Sequence, residues 1–252
     1  MAKRILYPSL FVVFVFLMSV ALSPLYKLKE FEKLVKNDSL FIAKYDKNWS
    51  HSEFSEMVKE KTYKEALLKL AGKDSVQLAI NLADSTVCLY INGVKIHKTV
   101  IKLFEQAKLL KKIPTMQYVK IFSQPLNISS QFATIVKEPV VIRQAPKDTI
   151  EAALNAWEPD TLLQNPAFLL LRLEHGIDLV FEQESNPVFY DKWIKFRFFN
   201  ELWANKTLNA LFCFFTFKKQ EYYPVITIKI PANELRAIYR ALPQNAFVVL
   251  KI

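Results

Sequence analysis

Glycine is almost missing from this chain: Gly72, Gly93 and Gly176 are the only three among 252 residues. Phosphate-cradling loops of the G-x-G-x-x-G or G-x-x-x-x-G-K kind need several glycines at close spacing, so nucleotide binding by those devices is excluded. Histidine is as scarce, with His51, His97 and His175 standing far apart. No pair of them, and no His with an Asp or Glu at ligand spacing, makes a credible metal site, and neither a metal nor another cofactor is expected. The two cysteines, Cys88 and Cys213, could pair in an oxidising compartment, but each lies in an apolar run and reads better as a buried thiol. Internal repeats and low-complexity tracts are absent as well.

What is abundant is apolar surface: hydrophobic residues make up 52% of the chain, with 20 Phe and 10 Tyr, enough for a sizeable core. The uncharged apolar segment Ile5 to Leu22 follows Lys3 and Arg4, and charge resumes at Lys27. It is long enough to cross a bilayer of ~30 Å at ~1.5 Å per residue. A secretory signal cut after Ser23 competes with an uncleaved anchor; the length of the run and Pro24 beyond the cut favour the anchor. The expected location is therefore the cell membrane, single-pass, with the domain on the periplasmic, extracytoplasmic side. The net charge of +10 is spread as single Lys and Arg residues between apolar ones. For an exported protein that suggests phospholipid head groups or cell-wall polymer as neighbours, not nucleic acid, although a solvated basic surface is the plainer explanation.

Beyond residues 1–24, residues 25–72 read as a helical neck, with a second helix starting near Ser52 and stopping at Gly72. Residues 73–252 form the domain. Alternation from Ser75 to Ile101, punctuated by Asn92-Gly93, predicts a β-meander. Further strands are expected at Phe132–Val136, Val140–Arg143, Phe168–Leu173, Ile177–Glu182, Ile194–Phe199 and Leu211–Phe217, with a helix over Asp148–Trp157. The end of the chain predicts a strand from Val225 to Ile230, a short helix after Pro231 and a closing strand. The fold class expected is mainly β, a mixed α+β chain with few helices in its domain.

The last 28 residues, from Val225 onward, together with the opening meander, resemble the L,D-transpeptidase (YkuD) catalytic domain. In that family a Ser-His-Gly-Cys-Ile/Val-Arg motif precedes a short helix with a Leu-Tyr pair, a turn and a closing strand. Here Lys229 falls on the motif arginine, Ile228 and Ile230 on its apolar flanks, Glu234 near the helix start, and Ile238-Tyr239 on the Leu-Tyr pair. Asn92-Gly93 matches the family's first hairpin, and Ile113-Pro114-Thr115 and the run from Ile135 to Pro146 match weaker landmarks. The resemblance implies an L,D-transpeptidase-like β-sandwich or barrel, carried on an N-terminal transmembrane helix and neck.

The departures fall on the chemistry. Thr227 stands at the nucleophilic cysteine, Val225 at the histidine, Ile226 at the glycine and Pro224 at the serine. A threonine hydroxyl needs an adjacent base to act at neutral pH, and the motif supplies none. His175, beside Gly176, is similar to a second His-Gly pair of the family, but also reads as a hairpin turn. Cys213 sits among large apolar side chains that raise a thiol pKa. Glu182 and Glu184 share a strand face, a commonplace spacing that makes a glycosidase reading arbitrary. The resemblance thus implies a catalytically inactive member, a binding or scaffolding module with peptidoglycan or an envelope protein as partner. The alternative is a divergent active transpeptidase or carboxypeptidase acting on peptidoglycan stem peptides through Thr227, Cys213 or His175.

Overall fold

The computed structural model describes residues 2–36, 52–137, 166–184, 189–216 and 218–252. Two helices come first, α1 (Ala2–Lys36) and α2 (Ser52–Leu70). Strands β1 (Gln77–Asn81), β2 (Thr86–Ile91), β3 (Val94–Val100) and β4 (Leu103–Gln106) precede helices α3 (Lys108–Lys111) and α4 (Thr115–Phe122). Then come β5 (Leu126–Ala133), β6 (Phe168–Leu173), β7 (Ile177–Glu184), α5 (Phe189–Phe215), β8 (Val225–Pro231), α6 (Ala232–Ala241) and β9 (Phe247–Lys251).

The strands form one nine-stranded mixed sheet in the order β3-β2-β1-β9-β5-β6-β7-β8-β4. Only β1 with β9 and β7 with β8 run parallel. Strand β5 joins the two halves: Leu126 and Asn127 pair with β9, and after a register shift between Ile128 and Ser130 the rest pairs with β6. One core serves both halves. Leu78 and Ile80 of β1, Leu169 and Leu171 of β6 and Ile226, Ile228 and Ile230 of β8 meet Phe31 of α1, Phe122 of α4 and Leu235 and Ile238 of α6. Alternation sends the intervening residues outward, where two helices cover them: Tyr63, Ala66 and Leu70 of α2 pack on Ala79 and Val249, and Phe198 of α5 packs on Phe168, Leu170 and Val180.

Both hairpin signals resolve into turns that need left-handed backbone. Asn92 (φ 50°) and Gly93 (φ 76°) turn β2 into β3, and a Cβ on Gly93 would lie 2.8 Å from that of Ala71 at the end of α2. His175 (φ 61°) and Gly176 (φ 67°) do the same between β6 and β7, so His175 occupies a turn.

The fold-class expectation is corrected on three points. Helix outweighs strand among the described residues, and the strands make one mixed α/β sheet rather than a mainly β sandwich or barrel. The strands expected at Ile194–Phe199 and Leu211–Phe217 belong to α5. That stretch is apolar in nearly every direction, so periodicity cannot separate a buried strand from a helix, and its length decides for helix. Finally, no helix among the described residues is long and apolar enough to cross a membrane, which overturns the expected transmembrane helix. From Val13 onward α1 carries four lysines and two glutamates, and Ser23, Lys27, Phe31 and Val35 are buried at four-residue spacing against the domain. Strand β5 ends at Ala133, three residues short of the end expected there. The strand at Val140–Arg143 and the helix at Asp148–Trp157 lie outside the described residues, as does His51.

Candidate functional site

Strand β8 lies between β7 and β4 with Thr227 opposite Val180 on one side and Glu105 on the other. Alternation puts Ile226, Ile228 and Ile230 in the core and turns Val225, Thr227 and Lys229 to the outer face. Thr227 and Lys229 line a shallow hollow of ≈ 200 Å³ with Glu105, Glu182 and Lys195. Glu182 is buried, and accepts a 2.7 Å hydrogen bond from Nζ of Lys195. The Lys195 ammonium thus occupies the Glu182 carboxylate, and no imidazole lines the hollow. The position expected to carry the nucleophile is thus a half-buried threonine beside an ion pair and the exposed Glu105 carboxylate, with no imidazole at hand.

The other sequence candidates do not converge on Thr227. Val180, and not His175, lies opposite it on β7. His175 faces the α1 side, where burial in the first place pushes its imidazole pKa down. Cys213 is buried on α5 with its Sγ 3.9 Å from Oδ1 of Asn209, and Cys88 is buried on β2. Both thiols are unpaired. His97 presents a tempting group, because its Nε2 lies 2.5 Å from Oε2 of Glu234 and 3.0 Å from Oγ1 of Thr99. A hydroxyl–imidazole–carboxylate relay needs the acid on one ring nitrogen and the hydroxyl on the other. Here one nitrogen serves both, and Thr99 donates to the same Glu234 oxygen at 2.5 Å. The group pins β3 to the start of α6 and relays nothing.

The larger concavity lies at the other end of β7, between the outer sheet face and α5. It has a volume of ≈ 470 Å³, within the range of small-molecule sites. Phe132, Phe198 and Leu202 form its apolar wall, and Arg172, Lys206, Tyr223 and Tyr239 its polar side. Beneath it Asp178 is fully buried, accepting from Nε and Nη2 of Arg172 at 2.9 and 3.4 Å, with Nζ of Lys206 at 3.3 Å. The Arg172 guanidinium stacks 4.4 Å from the Tyr223 ring. Burial, then the Glu221 carboxylate that accepts from its hydroxyl, push the Tyr223 phenol up to about 12. Among the described residues the lining therefore offers two cations, two phenols and no carboxylate, a surface suited to a carboxylate carried on an apolar or peptide frame.

Two ion pairs aim α5. Lys195 meets Glu182 and Lys206 meets Asp178, so α5 runs antiparallel to β7, about 16 Å of helix rise spanning about 13 Å of strand. None of Arg172, Asp178, Lys206 and Tyr223 was a sequence candidate. The one legible signal was a charge at Asp178 inside the apolar run from Ile177 to Phe181, because a buried acid needs partners. Of its partners, Arg172 stands opposite it on β6, whereas Lys206 comes from α5 and could not be placed until that helix was laid across the sheet. No group of three metal-ligating side chains occurs among the described residues. No known protein family, curated protein or solved structure matches the chain.

Proposed function

We propose that this protein is a catalytically inactive, L,D-transpeptidase-like module of the cell envelope, associated with the membrane on its extracytoplasmic side, that binds carboxylate-bearing peptides of peptidoglycan. The observation that carries it is the chemistry at Thr227: the position corresponding to the family's nucleophile holds a hydroxyl beside the Glu182–Lys195 pair, without an imidazole. A chain with a strand, a short helix and a closing strand in the order the resemblance expects, but without the family's cysteine and histidine, can still hold a ligand. The cleft over Asp178 is where it would do so, with Arg172 and Lys206 on a carboxylate and Tyr223 and Tyr239 against the peptide.

Calorimetric titration of the full-length protein in detergent with a disaccharide-tetrapeptide tests this. Saturable binding is expected, weakened roughly tenfold by Lys206→Gln, because one charge-assisted hydrogen bond is lost while Arg172 still partners Asp178. Lack of binding by the unaltered protein, or equal binding by both, overturns the proposal.

A further inference from the structure

Helix α5 carries apolar side chains in two opposite directions. Phe198 and Leu202 turn to the sheet or the cleft. Trp193, Phe196, Trp203, Leu208, Phe212 and Phe215 are exposed, Phe215 at 71% and Trp203 at 66%. At about 3.6 residues per turn the exposed set apart from Phe212 falls on the half of the helix away from Phe198 and Leu202, and Phe212 stands at its edge. This face does not end with α5. The Phe16 and Phe214 rings meet edge-on at 5.4 Å, and α1 adds exposed Phe14, Leu17 and Met18 beside them. Scattered exposed leucines need no explanation, but a contiguous aromatic face shared by two helices does.

Its borders say what covers it. From Thr207 to Thr216 α5 has no charged residue, and Lys218 and Lys219 stand just beyond that stretch. Lys218 lies 5.7 Å from the Phe212 ring centre and Lys219 3.7 Å from Glu30 of α1. Aromatic side chains with a wet edge, an uncharged centre and flanking lysines match the layers of a bilayer surface, where rings sit at head-group depth and ammonium groups reach phosphates. The lysines that follow the apolar stretch, Lys218 beside the Phe212 ring above all, suit an anionic lipid surface, and the net charge of +10 acts in the same direction.

We propose that the outer face of α5, continued by α1 around Phe16, rests on the surface of an anionic phospholipid bilayer. The contact is a seat in the head-group region, and it does not depend on what the cleft binds. It would hold the cleft at a set height above the lipid, because α5 supplies the cleft wall with Phe198 and Leu202 and the exposed face with Trp193, Phe196 and Trp203.

The test uses the full chain with Trp49, Trp157 and Trp193 replaced by Phe, leaving Trp203 as the only tryptophan. On vesicles of phosphatidylglycerol and phosphatidylcholine its emission should shift to the blue, and brominated acyl chains should quench more than half of it. A second variant, with Trp203 also replaced and Phe215→Trp as sole fluorophore, should quench at least as strongly, since it sits in the uncharged stretch of the exposed face. An unchanged far-ultraviolet spectrum verifies the fold. Solvent-like emission without quenching overturns the proposal. So does shifted emission without quenching together with cross-linked dimers, which would assign the face to a second copy of the chain.

Discussion

Helices α5 and α6 lie on opposite faces of the β7–β8 pair and differ in what they leave uncovered. Helix α6 is a short amphipathic helix whose apolar stripe is spent: Leu235 and Ile238 are fully buried in the core, and the other positions meet water. Helix α5 is apolar on two sides, one seated on the sheet and the other bare. The contrast teaches that burial explains α6 completely and α5 only in half. Side chains that the fold does not use concentrate on the outer side of α5, beside the cleft and the lysine border.

This contrast can be broken or sharpened by substitution. Leu235→Ala removes a fully buried side chain from the shared core and should cost about 2–5 kcal/mol in urea unfolding. Arg172→Met should cost less, about 1–3 kcal/mol, because Asp178 loses two hydrogen bonds but keeps Lys206. Glu234→Gln should cost about 0.5–1.5 kcal/mol at neutral pH, with a sign that pH reveals. Hydrogen bonds from Thr99 first and His97 second hold the Glu234 carboxyl below its ordinary 4.5. Its contribution is therefore complete above that value and lost as pH falls through the depressed one, and acid titration of stability should be flatter in the Gln variant. Phe215→Ser comes last, at less than about 0.5 kcal/mol, since that ring is exposed. A loss there as large as at Leu235 would show that the outer face of α5 is covered within the folded chain.

Much of the sheet was legible because its signals are local. Alternation in β1 to β3, the Asn92-Gly93 turn, the leucine run of β6 and the order of β8, α6 and β9 each depend on a few neighbouring residues. Helix α5 was not legible, since a stretch rich in Phe and Trp on every side has no dominant period. The site failed with it. Arg172 and Asp178 are adjacent through β6 and β7, but Lys206 reaches them only once α5 is laid antiparallel across the sheet. Thr227 was singled out by position, and its neighbours became visible only when β7 supplied Glu182, β4 Glu105 and α5 Lys195.

The central claim is that the strand around Thr227 no longer performs chemistry. Incubating the full-length protein with peptidoglycan stem tetrapeptides and following products by mass spectrometry addresses it most directly. The account predicts unchanged tetrapeptide, with neither a cross-linked dimer nor a shortened peptide, for the native protein and for Thr227→Ala alike. Turnover by the native protein that disappears in Thr227→Ala would contradict it.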